Sequence, residues 1–499
     1  MATHKNWDFL QLPRPQYAAT GELLISSLVW SLAGTTKFKL DDNNEDGIVY
    51  QKTERGKVSN RKITETYPEP GSERSDLLKD VIASNFDLGS DPSLQKATKI
   101  LGDDLVGNVP AKANSKALVP LTVTAALMQD PRGMTGVNNP PNFARILQRM
   151  YVLGGGKDDP AKSLVRVLST SKPLVSGDWL DKSIEAMAPA KINELAEKIV
   201  DECTNEPELN EVIPEWFNEI ESTPYHWFAN AWDSLINGNW IEAMPRRRWI
   251  DWMSCILRTV LGSGYVFEMN FYYQLVLAMT SSEEPSDIKV KVLSGDGVFF
   301  QWNAIASIST RDVASKIRRI CERGTACRTL LQEWVDDDQL VGFPTPNDFN
   351  SSKTGLEEWI LSARDWYQLN SQNDSLDIKS QLVDAISGKA NRAANNVYET
   401  INYALQDRGS ALDEDLYSLM KKRGRRYTVI EPGQEWFAVI ASLTAKQSGQ
   451  VSRVANLLEA LDAIGIEASY KTITLELERV GLGRSSHDAD DAIEIAAAF

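Results

Sequence analysis

Histidine and cysteine are scarce in this 499-residue chain, which has three of the first and four of the second. Structural zinc needs close-spaced cysteine pairs or nearby histidines. Cys203, Cys255, Cys321 and Cys327 offer only a Cys-x5-Cys spacing, and none lies beside His4, His226 or His487. No metal is therefore expected, and the thiols read as small buried hydrophobes. Nucleophilic triads meet the same shortage, since no Gly-x-Ser-x-Gly turn accompanies His226 or His487. His226, in Pro-Tyr-His-Trp-Phe, reads as a packed core residue, and His487, in Ser-Ser-His-Asp, as part of a turn.

Long apolar runs are also missing. Leu23 to Ala33 and Tyr265 to Met279 are interrupted by polar residues or fall short of the roughly 20 residues of a spanning helix. The first residues carry no charged region followed by an apolar one, so no secretory leader and no membrane partner are expected, and the expected location is cytoplasmic. Positive charge is in deficit, with 53 Lys and Arg against 69 Asp and Glu, a net charge of -16. Such a surface repels phosphate backbones as a whole, so any nucleic-acid contact has to be local.

What the chain does have is tryptophan, concentrated between Pro214 and Met279 as Trp216, Trp227, Trp232, Trp240, Trp249 and Trp252. Such side chains bury large apolar areas while each needs a partner for one N–H, which implies a tightly packed centre. Trp249, Trp252, Met253, Ile256, Leu257 and Val260 recur at helical spacing on one face, with Arg247 and Asp251 off that stripe. Arg246-Arg247-Arg248 stands at the start of this helix, against the macrodipole, so carboxylate partners from the acidic segment Glu206 to Glu221 are expected.

In chain order, Gly21 to Ala33 reads as a helix. Thr35 to Ser75 is polar and turn-rich, with KFKL and GIVYQ as candidate hairpin strands. Ser75 to Leu105 and Ser176 to Cys203 return to helical spacing. In the second of these Ile192, Leu195 and Ile199 form the apolar stripe and Glu194, Glu197 and Asp201 the solvated face. Asp287 to Leu293 and Val298 to Trp302, separated by Ser-Gly-Asp-Gly, predict a β-hairpin. A helix capped by Thr310 then runs toward Cys327, and Asp336-Asp337-Asp338 marks an exposed break. Leu356 to Tyr367, Asp377 to Ile386 and Ala390 to Leu405 predict a helical bundle.

Two motifs invite chemistry and fail on spacing. Leu153-Gly154-Gly155-Gly156-Lys157 would need Gly in place of Tyr151, and Ser or Thr in place of Asp158, to cradle a phosphate. A loop leading into a helix with Pro160 at its first position fits better. Asp287-Ile288-Lys289 has the Asp-x-Lys pattern of strand-borne nuclease sites. The same tripeptide recurs at Asp377-Ile378-Lys379 in a helical segment, so the pattern is unspecific.

The last segment is the most interpretable. Glu435 to Leu443, Val451 to Ile464 and Lys471 to Val480 predict three short helices, with Gly465 ending the second and Ser469 preceding the third. Ala492 to Phe499 offers a strand, and the outline resembles a winged helix. Just before it, Lys421-Lys422-Arg423-Gly424-Arg425-Arg426 is the densest basic cluster in the chain.

The fold class expected is mainly α and multi-domain, with helical bundles, one or two β-hairpin insertions and a C-terminal helix-turn-helix or winged-helix-like module. The boundaries expected are 1–205, 206–345, 346–426 and 427–499. Without an assembled reactive site, the expected function is a non-enzymatic scaffold or recognition subunit, with no cofactor. Its expected partners are other protein subunits, with DNA a further candidate, by analogy with acidic helical subunits of bacterial phage-defence complexes. The candidate contacts are Lys421, Lys422, Arg423, Arg425 and Arg426 with Lys471 and Arg479. The alternative is a metal-dependent nuclease using carboxylates dispersed in the sequence. A far-ultraviolet circular dichroism spectrum dominated by helix is the expected outcome, and a dominant β signal would refute the fold class.

Overall fold

The computed structural model describes residues 8–15, 20–33, 53–54, 57–58, 71–86, 91–105, 118–128, 143–170, 179–203, 213–218, 220, 222–294, 299–303, 312–373, 376–409, 414–424, 427–485 and 493–499. Helices dominate these residues, and the strands are short. No helix among them is long and apolar enough to cross a membrane.

The centre is one helix, Arg246–Ala278, of 33 residues. Its stripe of Trp249, Trp252, Met253, Ile256, Leu257 and Val260 is buried, as its spacing predicts. Burial then goes further than one stripe, because every residue from Cys255 to Met269 is buried. A helix covered on all sides is a core element around which others pack. It packs most extensively against the companion helix Val313–Asp336, then against Arg392–Leu405, Pro224–Asn237 and Gly21–Ala33. Gly324 lets the companion approach, since a Cβ there would stand 2.2 Å from the Met269 carbonyl oxygen.

Aromatic rings fill the space beside this pair. Trp216 stacks on Phe271 with centroids 6.1 Å apart. Phe9 meets Trp359 edge to face at 5.0 Å, and Trp240 tilts against Trp252 at 5.3 Å.

The predicted helices over 21–33, 355–370, 378–387 and 392–405 form with small shifts at their ends. The stretch 176–203 divides into Trp179–Met187 and Ala190–Glu202, with Pro189 between them as the second helix's N-cap. The companion helix runs on past Cys327 to Asp336, and Thr310 lies outside the described residues, as do the KFKL and GIVYQ pieces.

The hairpin predicted from Asp287 to Trp302 does not form. Pro285–Ser294 is a helix, with Asp287 in its first turn and Lys291 in its last. Both charges complement the helix dipole, and the segment packs on the central helix and on Gly355–Asn370. Alternation alone could not supply a strand partner. Phe300–Trp302 is a strand, but it pairs in parallel with Ile466–Ala468. Part of the basic cluster lies on a strand, because Met420–Arg423 pairs antiparallel with Tyr427–Ile430.

Trp249 and Trp252 are 0% and 1% exposed. Replacing either with Ala is expected to cost about 3–5 kcal/mol, through lost transfer energy and a cavity. The Trp249 indole donates to the Leu235 carbonyl at 3.2 Å, whereas that of Trp252 meets no acceptor among the described residues. Trp249→Phe should therefore destabilise by about 1 kcal/mol more than Trp252→Phe, read from chemical denaturation.

Candidate functional site

The C-terminal residues build a compact unit. Helices Gln434–Leu443, Val454–Ala463 and Tyr470–Val480 lie with a three-stranded antiparallel sheet in which Ile493–Ala496 is central, between Val451–Arg453 and Gly483–Ser485. The second helix starts three residues later than its apolar spacing predicts, because 451–453 are taken by the sheet. Gly465 follows it at φ +81. Ser469 caps the third helix, its hydroxyl accepting from the Thr472 N–H at 3.2 Å. Gly481 closes that helix at φ +75.

The third helix buries Thr472, Ile473 and Leu477. Tyr470, Lys471, Leu475, Glu478 and Arg479 are exposed. Positions 471, 475, 478 and 479 share one face at helical spacing, which places both predicted contacts, Lys471 and Arg479, together. Arg479 also reaches back to Glu476 at 3.4 Å. This face therefore carries Lys471, Leu475, Glu478 and Arg479, with Glu476 beside it, and it is close to neutral.

The basic hairpin is elsewhere. Its strand Tyr427–Ile430 packs on the companion helix and on Phe300–Trp302, whereas the third helix packs on the other two helices of the unit and on Gly483–Ser485. Lys421 pairs with Glu414. Arg423 grips Glu431 with two nitrogens, Nε lying 2.7 Å from Oε2. Lys422 lies opposite Thr428 in the register and is exposed. Arg425 and Arg426 lie outside the described residues. Exposed pairs of this kind contribute only about 0–1 kcal/mol, but each cancels part of the local field that would attract phosphate.

The remaining motifs resolve into packing. A Cβ on Gly154 would stand 2.0 Å from the Tyr225 carbonyl oxygen, one on Gly156 would strike the Tyr151 ring, and Gly155 has φ +84. The Gly-rich loop is thus shaped by its neighbours, and Asp159 caps the helix Pro160–Thr170 that follows, accepting from Ala161 N–H at 2.9 Å. All four cysteines are free and buried. Burial pushes the Cys203 thiol up to about 11 and that of Cys327 to about 12. His226 is stacked on Phe217 and its Nδ1 lies 2.8 Å from the Thr223 hydroxyl. Burial lowers its pKa, favouring the neutral ring. Asp287-Ile288-Lys289 sits on a helix and lacks the strand geometry that its nuclease reading requires. Among the described residues no group of His, Cys, Asp or Glu could hold a metal ion.

The arginine run at the start of the central helix finds carboxylates among the described residues, whereas most of the acidic segment 206–221 lies outside them. Arg246 pairs with Asp181 at 2.8 Å, and Arg247 with Asp251 at 3.2 Å. Arg248 lies 3.1 Å from Glu435 and donates to the Tyr417 hydroxyl at 2.6 Å. Packing thus brings the helices Trp179–Met187 and Gln434–Leu443, which carry Asp181 and Glu435, to this point.

Two fully buried charge clusters escape the sequence reading. Arg258 is bidentate on Asp415, at 3.2 and 2.7 Å, and its Nε donates to the Ala404 carbonyl at 3.1 Å. Arg328 binds Asp8 and approaches Glu268 at 2.9 Å. Asp8 also accepts from the Tyr272 hydroxyl. The Glu268 oxygens accept no hydrogen bond among the described residues. Glu268 is fully buried, and a proton on it removes the cost of desolvating its charge. Burial, opposed by Arg328 and reinforced by Asp8, pushes Glu268 up to about 8. A lone charge inside an apolar helical run, as at Glu268 and Arg328, was the available signal for this cluster.

No protein family and no curated protein matches the chain.

The unfolded chain ionises Glu268 near its usual 4.5, the folded one only near 8, so folding takes up a proton between those values. The contribution to stability is full below the lower value and falls as pH rises toward the upper, by at most about 1.4 kcal/mol per pH unit. Glu268→Gln is expected to flatten the decline in stability between pH 5 and 8. A slope identical to that of the parent would mean that Glu268 is ionised beside Arg328.

Proposed function

We propose that this chain is a non-enzymatic recognition subunit of a cytoplasmic multi-protein complex, with 427–499 as a winged-helix-like contact module that docks another protein. The observation that carries this reading is the composition of the third helix's outer face. Leu475 is 44% exposed on a face that it shares with charges of both signs, and Tyr470, at the start of the same helix, is 45% exposed. Aromatic and aliphatic side chains on a nearly neutral surface suit a protein interface, whose centre is poor in charge and rich in Tyr. A phosphate-reading helix needs an excess of cations, and Glu476 and Glu478 remove it here.

The DNA reading rests on a different observation, the exposed Lys422 in a five-cation cluster at 421–426. The two readings part on salt and on site. A protein-docking subunit purified from its native host brings a stoichiometric partner, which Leu475→Asp releases while shifting stability by no more than about 0.5 kcal/mol. Serine at Lys421, Lys422, Arg423, Arg425 and Arg426 leaves that partner in place. DNA binding that weakens steeply with salt, with a log–log slope of about -0.9 per phosphate, and that disappears in the serine variant, would transfer the function to the hairpin. Hydrolysis of DNA by the purified chain with Mg²⁺ would overturn the non-enzymatic reading.

A further inference from the structure

Residues 8–15 pass through the core without forming a helix or a strand. Among the described residues no backbone–backbone hydrogen bond ties them to the rest of the fold. Side chains from three helices hold them instead. Arg149, on the helix Phe143–Leu153, donates to the Leu10 carbonyl at 2.9 Å. Arg328 of the companion helix donates to the Leu12 carbonyl at 2.7 Å, and Tyr265 of the central helix to the Pro13 carbonyl at 2.6 Å.

Specific side chains are read as well as backbone. Asp8 shapes its own turn by accepting from the N–H groups of Leu10 and Gln11 at 3.1 and 2.9 Å. Its carboxylate also takes the Arg328 guanidinium and the Tyr272 hydroxyl. Phe9 enters a box of rings, edge to face with Trp216, Phe271 and Trp359 at 5.9, 5.8 and 5.0 Å. Leu10 and Leu12 are 0% and 1% exposed. Arg14 donates to the Thr329 hydroxyl at 3.2 Å.

A folded domain reads a linear peptide in the same manner, with donors on main-chain carbonyls for register and pockets for a few anchors. An ordinary core segment differs, because it satisfies its own backbone within secondary structure. We propose that the cleft formed by Arg149, Tyr265, Tyr272 and Arg328 with the aromatic box is a peptide-recognition site. Residues 8–15 are its intramolecular ligand, and the partner it fits is a peptide carrying the same Asp-Phe-Leu-x-Leu motif. The carbonyl donors accept any sequence, the arginine and tyrosine require the acid, and the box requires the ring. The proposal does not depend on the function assigned to the C-terminal unit.

In the intact chain the tethered copy has the advantage of a high effective concentration, so a free peptide has to meet a severed tether. A protease site placed between Pro15 and Thr20 of the full chain, cut after folding, provides one. The N-terminal fragment is expected to co-elute with the remainder and to exchange with a fluorescein-labelled peptide of residues 7–16. Asp8→Asn and Phe9→Ala versions of that peptide should each bind at least about tenfold more weakly. In the uncut chain carrying Phe9→Ala, where the tethered ligand is weakened, the unlabelled parent peptide is expected to raise Tm, and it should leave the parent protein unchanged. A fragment that never exchanges, binding indifferent to Asp8 and Phe9, or a Phe9→Ala chain whose Tm ignores the peptide would each make 8–15 a permanent part of the core and overturn the proposal.

Discussion

Burial of the central helix on every side is the constraint from which the rest of the architecture follows. A helix with one apolar stripe can lie on a surface, but one that is enclosed from Cys255 to Met269 requires neighbours around its full circumference. Those neighbours come from distant parts of the sequence: Gly21–Ala33, Pro224–Asn237, Val313–Asp336 and Arg392–Leu405. The C-terminal unit joins them through Trp436, whose indole donates to the Thr259 hydroxyl at 2.9 Å. Phe499 completes the contact by meeting Trp252 edge to face at 5.7 Å.

Enclosure makes every charge on that helix expensive unless it is met. Desolvating an ion costs several kcal/mol, and one partner is rarely sufficient to offset it. Arg258 answers with a bidentate carboxylate and a carbonyl, and so ties Ala404 and Asp415 to the helix. Glu268 lies deeper, and its charge is managed by a proton and by Arg328 together. Each buried charge thus selects one arrangement of neighbours, since a shifted neighbour would leave an ion unpaired in the core. The segment 8–15 owes its place to the same rule, because Asp8 supplies Arg328 with a second carboxylate beside Glu268.

Much of this was legible in the sequence wherever a segment's own periodicity determined its state. The stripe from Trp249 to Val260 and the bundle helices after Leu356 needed only helical spacing. Ser469 and Gly465 marked the turn before the third C-terminal helix by their backbone chemistry. Failures came where a distant partner decided. The alternation in 287–293 looked like a strand, but a proline start and charges that complement the dipole at both ends favoured a helix. The basic cluster carried no strand signal of its own, and its pairing is supplied by Tyr427–Ile430. The buried clusters around Arg258 and Arg328 join residues 157 and 320 positions apart, distances over which a single sequence carries no pattern. As for the candidate contacts, Lys471 and Arg479 were named from the sequence, whereas their apolar neighbours Tyr470 and Leu475 became visible only once burial was known.

The strand Phe300–Trp302 links the central helices to the proposed contact face. It pairs in parallel with Ile466–Ala468, the three residues that lead directly into the third helix. Gly465 admits it, since a Cβ there would stand 2.3 Å from the Phe299 ring. The Gly465 carbonyl accepts from the N–H groups of both Phe299 and Phe300 at 3.1 Å. Trp302 then packs edge to face on Phe437 of the first C-terminal helix, 5.5 Å between centroids, while Gln301 bonds Glu467 at 3.2 Å on the exposed side. The direction of the third helix is therefore set partly by residues more than a hundred positions upstream. Its outer face is tied to the body of the protein by this pairing, so the partner proposed for it would meet a surface whose ordering cost has already been met in folding.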